Sequence, residues 1–141
     1  MNFLARREHS YVELQRKLAT RFPDQSPLIN AELDKLREEG LQSDQRLAEA
    51  FVTYRSNKGQ GPRKIRSELH AKGVNKDTIT AAITSIPVDW PAIAQQVAEK
   101  KFAHPFGPDS PASQLAAKDK ARVTRFLLQR GFSQDQMAHL Y

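Results

Sequence analysis

The chain of 141 residues contains no cysteine, which excludes disulfide bridges, thiolate zinc sites, iron–sulfur ligation and cysteine nucleophiles. Long apolar runs are also missing. Stretches such as Ala81-Ala82-Ile83 fall far short of the roughly 18 residues a membrane helix needs, so no membrane span is expected. The opening Met1-Asn2-Phe3-Leu4-Ala5-Arg6-Arg7-Glu8 has no apolar segment after its basic pair. A secretory signal is therefore not expected, and the cytoplasm is the expected location. Gly59-Gln60-Gly61-Pro62 lacks both the third glycine and the Gly-Lys-Ser/Thr ending of a phosphate-binding loop, so no nucleotide site is expected. This length suits one domain or a short string of small modules and excludes a large two-domain enzyme.

Acidic residues are in deficit: 16 Asp plus Glu against 22 Lys plus Arg leave a formal charge of +6. A polyanion or an acidic protein surface is the natural partner for such a chain. Catalytic constellations are absent too. His9, His70, His104 and His139 have no second ligand three or four residues on except in weak pairings such as His9 with Glu13, so no metal site is expected. Ser10 beside His9 has no orienting acid in the local pattern, and the pair reads as the end of one helix and the cap of the next. The chain is not expected to be an enzyme or to need a cofactor.

What is present is helical periodicity almost throughout, with no sustained period-two alternation. Leu14, Leu18 and Phe22 form one stripe; Leu28, Ile29, Leu33 and Leu36 a second; Leu47, Phe51 and Tyr54 a third. Ser26-Pro27 predicts a helix over 26–39 with Ser26 as its cap, closed by Gly40. Ser43 predicts a helix to about Asn57, and Pro62 one over 62–72 that ends at Gly73. Asn75 caps the next, which stops before Pro87; Asp89 with Pro91 opens another. The stretch 104–113, with Pro105, Gly107, Pro108 and Pro111, predicts a loop. Two helices follow, the last starting near 134 behind the capping-box pattern Ser133-Gln134-Asp135-Gln136.

Nine short helices invite a search for repeats, and one is found. The segment Ile65 to Ile79 superposes without a gap on Val123 to Met137. Both carry apolar residues four apart, a basic residue before Gly, an apolar anchor, a cap, and Asp two residues beyond the cap. Leu14 to Phe22 matches more loosely and lacks the glycine. The fold class expected is all-α: a tandem array of three three-helix repeats, elongated and curved, spanning 1–41 (with a short or truncated first helix), 42–87, and 88–141 with the Pro-rich loop 104–113. One compact nine-helix bundle is the alternative.

Charge is distributed unevenly over these repeats. Residues 52–72 hold six cations and one anion, a net +5, whereas 26–51 carry −3 and 99–141 carry +3. Arg55, Lys58, Arg63, Lys64, Arg66 and Lys72 are candidate phosphate contacts, Gly59 and Gly61 could admit a ligand close to the backbone, and Tyr54 offers a stacking plane. An ordinary solvated helix face would show the same composition. Glu32, Asp34, Glu38 and Glu39 form an acidic strip on the helix before it. Strips of opposite sign suit a protein that docks on another protein.

Five segments in order resemble the RecX family, the regulatory proteins of the RecA recombinase. They are Leu4-Ala5-Arg6-Arg7-Glu8-His9-Ser10 with Glu13-Leu14 and Lys17-Leu18; Ser43-Asp44-Gln45-Arg46-Leu47-Ala48; Arg55 with Gly59-Gln60-Gly61-Pro62; Ile65, Glu68-Leu69 and Lys72-Gly73-Val74; and Phe126-Leu127 with Arg130-Gly131-Phe132-Ser133. The pattern departs from the family at Leu47, where Phe is common, and at Tyr11, where a basic residue is frequent. The resemblance implies a monomeric repeat protein that binds the RecA filament and inhibits its ATPase, strand-exchange and coprotease activities. Candidate contacts to RecA or to single- or double-stranded DNA are Arg6, Arg7, Tyr54, Arg55, Lys58, Arg63, Lys64, Arg66, Lys72, Arg122, Arg125 and Arg130. A basic helical protein that binds DNA without RecA is the alternative function.

Overall fold

The computed structural model describes residues 9–40, 42–107 and 115–140. The expected first helix, Arg6 and Arg7, and most of the Pro-rich stretch lie outside them. The described residues are all helical, without a strand: α1 (Tyr11–Arg21), α2 (Ser26–Glu38), α3 (Asp44–Asn57), α4 (Pro62–Ala71), α5 (Lys76–Ser85), α6 (Trp90–Phe102), α7 (Ala117–Gln129) and α8 (Gln134–Met137), with a closing 3-10 turn Ala138–Leu140.

Local chemistry accounts for most of the boundaries. Ser10 caps α1 in a capping box: its Oγ accepts from Glu13 N at 3.0 Å, and Glu13 Oε1 accepts from Ser10 N at 3.0 Å, which satisfies two otherwise orphaned donors. Ser43 Oγ accepts from Arg46 N at 3.1 Å, Asn75 Oδ1 from Asp77 N at 2.7 Å, and Asp89 Oδ1 from Ala92 N at 3.1 Å. Ser133 N donates to Gln136 Oε1 at 2.9 Å. One boundary differs from the sequence expectation. Ser26 is not the cap of α2 but its first residue; Gln25 stands at the cap and makes no side-chain hydrogen bond there. Proline is tolerated anywhere in the first turn, where its missing N–H would have no partner, so Pro27 does not specify which neighbour caps.

The repeat match corresponds to a match in three dimensions. Ile65, Leu69, Val74 and Ile79 are buried, and so are their counterparts Val123, Leu127, Phe132 and Met137. Gly73 and Gly131 both have positive φ, 85° and 100°. Past each glycine the same bond recurs: Val74 N donates to Leu69 O, and Phe132 N to Leu127 O, both at 3.1 Å. In α1, by contrast, no residue is fully buried and Phe22 is 45% exposed at its end. The first repeat's looser match therefore has a physical counterpart.

The chain forms two compact units, residues 1–51 with 68–85, and 52–67 with 86–141. The boundary falls inside α3 and α4. In the first unit Ile29, Leu33, Leu47, Ala48, Leu69, Val74, Ile79 and Ala82 are buried. In the second, Ala94 and Ala98 of α6 pack with Phe106, Val123, Leu127, Phe132, Met137 and Leu140. There Phe102 meets Phe126 edge to face at 5.6 Å, a favoured aromatic geometry. Glu99 straps the following loop to α6 by accepting from Phe106 N at 3.0 Å.

Candidate functional site

Each unit contains one joint between the cap position of a repeat's second helix and the glycine turn of the next repeat. In the first unit, the fully buried Ser10 donates from Oγ to the carbonyl of Lys72. The Lys72 ammonium pairs with Glu13 at 3.3 Å and lies 5.7 Å from the Phe51 ring. A Cβ on Gly73 would come within 2.5 Å of Val12. The cation at this joint is neutralised.

In the second unit, Gly61 N donates to Arg130 O at 2.7 Å, and Arg63 N donates to Gly131 O at 2.9 Å. A Cβ on Gly61 would stand 2.4 Å from Gly131 backbone, and one on Gly131 would stand 2.6 Å from Lys64. Gly61 thus faces a neighbouring backbone, whereas Gly59 lies against the Val97 side chain. Two backbones can approach this closely only where side chains are absent. The third residue of the helix, Glu13 in α1, is Lys64 in α4, so no carboxylate stands at the corresponding place near Arg130. The Arg130 guanidinium instead lies 5.5 Å from the Phe126 ring centre. Its buried Nε has no hydrogen-bond partner among the described residues.

Beside this joint runs a groove of about 500 Å³ formed by the end of α3, α6, α7 and Arg130. Its lining contains Lys58, Lys100, Lys101 and Arg130 and no carboxylate. Lys101 Nζ lies 5.6 Å from the Phe126 ring centre, within cation–π range. Lys58 Nζ lies 5.5 Å from the ring of Tyr54, which is 58% exposed. A smaller hollow of about 210 Å³ shares Lys101 and Phe126 with this groove and is lined also by Arg122 and Arg125. Glu99, the carboxylate next to Lys100, lies outside the lining, its acidity increased by the Phe106 and Gln95 hydrogen bonds it accepts.

Comparison with known proteins bears on this geometry. Residues 43–83 match the family model of the RecX second three-helix domain, and residues 89–139 that of the RecX third three-helix domain. A regulatory protein RecX of Pseudomonas entomophila is 45% identical over 141 residues, covering 99% of this chain and 85% of that protein. The chain belongs to the RecX family. A RecX of Pseudomonas putida strain GB-1 is 44% identical over 140 residues, again covering 99% and 85%. The crystal structure of RecX from Lactobacillus salivarius has the same fold, with a TM-score of 0.77 at 23% identity over 99% of this chain and 87% of that one. RecX proteins are regulatory proteins by name, and a helical repeat array is the architecture this member shares with them. No helix among its described residues is long and apolar enough to cross a membrane.

Within this RecX-family chain, the structure gathers some of the sequence candidates and separates others. Lys58 and Arg130 share the groove, Arg122 and Arg125 flank it, and Tyr54 stands one turn before Lys58. Arg122 has a long contact of 3.9 Å with Asp119. Arg63 is exposed and Lys64 and Arg66 half-exposed on α4, while Arg55 is half-buried in α3. Lys72 belongs to the other unit, in its ion pair with Glu13. Sequence reading missed Lys100, Lys101 and Phe126. A signal was available: a Lys-Lys pair in the last turn of a helix, within a segment of net +3.

Proposed function

We propose that the protein is a negative regulator of RecA that binds the RecA–DNA filament and inhibits its ATPase, strand-exchange and coprotease activities, modulating recombination and the SOS response. Family membership supports this reading, and one structural observation supports a site for it. The two joints differ in that the cation of the second, Arg130, has among the described residues no counterpart of the carboxylate that neutralises Lys72 in the first. Uncompensated positive charge on a helical surface attracts a filament made of acidic protein surface and phosphates.

In this reading the three repeats, 1–41, 42–87 and 88–141, act as successive modules of a cytoplasmic monomer without catalytic activity. Several weak contacts on one chain raise the effective concentration of each. Arg6, Arg7, Tyr54, Arg55, Lys58, Arg63, Lys64, Arg66, Arg122, Arg125 and Arg130 are the proposed contacts, and Lys72 contributes through its joint. The test is titration of the protein into RecA hydrolysing ATP on single-stranded DNA at moderate salt. Inhibition at substoichiometric protein is expected; full ATPase activity at equal concentration would overturn the proposal. The triple change Arg63→Glu, Lys64→Glu, Arg66→Glu weakens inhibition while helicity is retained.

A further inference from the structure

Arg130 stands at the second joint with one edge of its head group inside the protein. It lines the groove, its guanidinium lies 5.5 Å from the Phe126 ring centre, and its Nε is buried with no hydrogen-bond partner among the described residues. An arginine presents its donors in a rigid planar fork. Whatever holds Nε therefore also sets the direction in which the two outer nitrogens point.

Gln60 is placed to do this. The residue is only 9% exposed, and its Oε1 is the one buried side-chain oxygen without a partner among the described residues. Both of its chain neighbours lie against Arg130: Gly61 N donates to Arg130 O at 2.7 Å, and a Cβ on Gly59 would stand 3.9 Å from Arg130 Nη2. A lone acceptor and a lone donor thus belong to residues on the two sides of one backbone hydrogen bond. Buried polar atoms are nearly always paired, by protein or by ordered water. One water that donates to Gln60 Oε1 and accepts from Arg130 Nε satisfies both.

We propose that Gln60 is the positioning residue of Arg130: its Oε1 holds the buried Nε–H through one internal water, and the outer nitrogens of the guanidinium stay turned toward the groove. Gln60 acts only through Arg130. The arrangement belongs to the free chain; its consequence for RecA rests on the regulatory function proposed above, in which Arg130 is a contact.

The test is hydrogen exchange at the arginine Nε–H groups, read by nuclear magnetic resonance in the full chain without RecA. In the wild type, Arg130 Nε–H exchanges about tenfold or more slowly than that of the exposed Arg125, as expected of a donor in a hydrogen bond that involves a charged group, and it shows an Overhauser contact to a bound water. Gln60→Met keeps the length of the side chain but lacks the acceptor, and raises the Arg130 rate about tenfold with Arg125 unchanged. Gln60→Glu keeps an acceptor and keeps the protection, a rescue that a purely space-filling role would not give. Circular dichroism checks that each variant folds; the wild-type rates decide the matter if Gln60→Met does not. Equal rates for Arg130 and Arg125 in the wild type, or protection of Arg130 in a folded Gln60→Met chain, would overturn the assignment. So would protection without a contact to bound water. In the RecA ATPase titration, folded Gln60→Met requires several-fold more protein for half inhibition, and an unchanged half-point would remove the positioning role. A wild-type chain that does not inhibit would sink the regulatory function and leave the exchange result standing.

Discussion

The Gly61 amide and the Arg130 carbonyl are joined by a hydrogen bond of 2.7 Å, at the same cap position from which Ser10 Oγ holds the Lys72 carbonyl in the other unit. One position thus performs one task twice by different chemistry. A serine reaches across with its side chain; a glycine brings the backbone itself. The glycine version is the closer approach and leaves no room for a side chain, which makes it sensitive to the smallest substitution.

Gly61→Ala places a methyl 2.4 Å from the carbonyl of Gly131, against backbone that cannot rotate away. Overpacking of this kind costs about 3 kcal/mol. Urea denaturation followed by circular dichroism measures it, and a loss under about 1 kcal/mol would show that the joint yields easily.

Ser10→Ala removes a helix cap and an inter-repeat donor together. Loss of the cap alone costs about 1 kcal/mol, and the Lys72 carbonyl left without its partner adds about 1–3 kcal/mol. The expected total of about 2–4 kcal/mol is read from the same denaturation curves. Lys72→Met, which removes the Glu13 ion pair but keeps the carbonyl, costs about 1 kcal/mol or less, as expected for a partly exposed pair.

Repeat equivalence predicts similar penalties at matched core positions. Leu69 and Leu127 are both fully buried, so each change to Ala costs about 2–5 kcal/mol. Leu14→Ala, in the helix that buries no residue completely, costs clearly less. Three parallel melts decide whether the matched pair groups together and apart from Leu14.

Lys64→Glu recreates at the second joint the acid that Glu13 supplies at the first. A carboxylate there pairs with Arg130 and cancels the charge that the proposed function uses. Inhibition of the RecA ATPase is expected to fall several-fold while stability changes by no more than about 1 kcal/mol. Unchanged inhibition would remove the second joint from the proposed interface.

Acid should release the strap between α6 and its following loop. Hydrogen bonds from Phe106 N and Gln95 hold the Glu99 carboxyl below its ordinary value of 4.5. A lowered folded value means that the stabilisation is fully present above the unfolded pKa and is lost as pH falls through the lower, folded one. Amide exchange at Phe106 therefore accelerates, relative to α6, only below pH 4.5. Glu99→Gln, which cannot ionise, lacks that acid-dependent step.

Much of this molecule is legible from the amino-acid order because its signals are local. Helix periodicity, Ser43, Asn75, Asp89 and Ser133 as caps, and the match of Ile65 to Ile79 with Val123 to Met137 all depend on residues within a few turns of one another. Resemblance to the RecX family is likewise a matter of short motifs in order. Tertiary structure decided what the glycines and charges do, because those roles depend on partners far away in the chain. Gly61 serves the backbone of Gly131 seventy residues later, and Lys72 is neutralised by Glu13, 59 residues before it. The groove needs Lys58, Lys100, Lys101 and Arg130 brought together from three separate segments. A net charge of +6 says that an anion is welcome; only packing, which pairs Lys72 with a carboxylate and leaves other cations facing a hollow, says where.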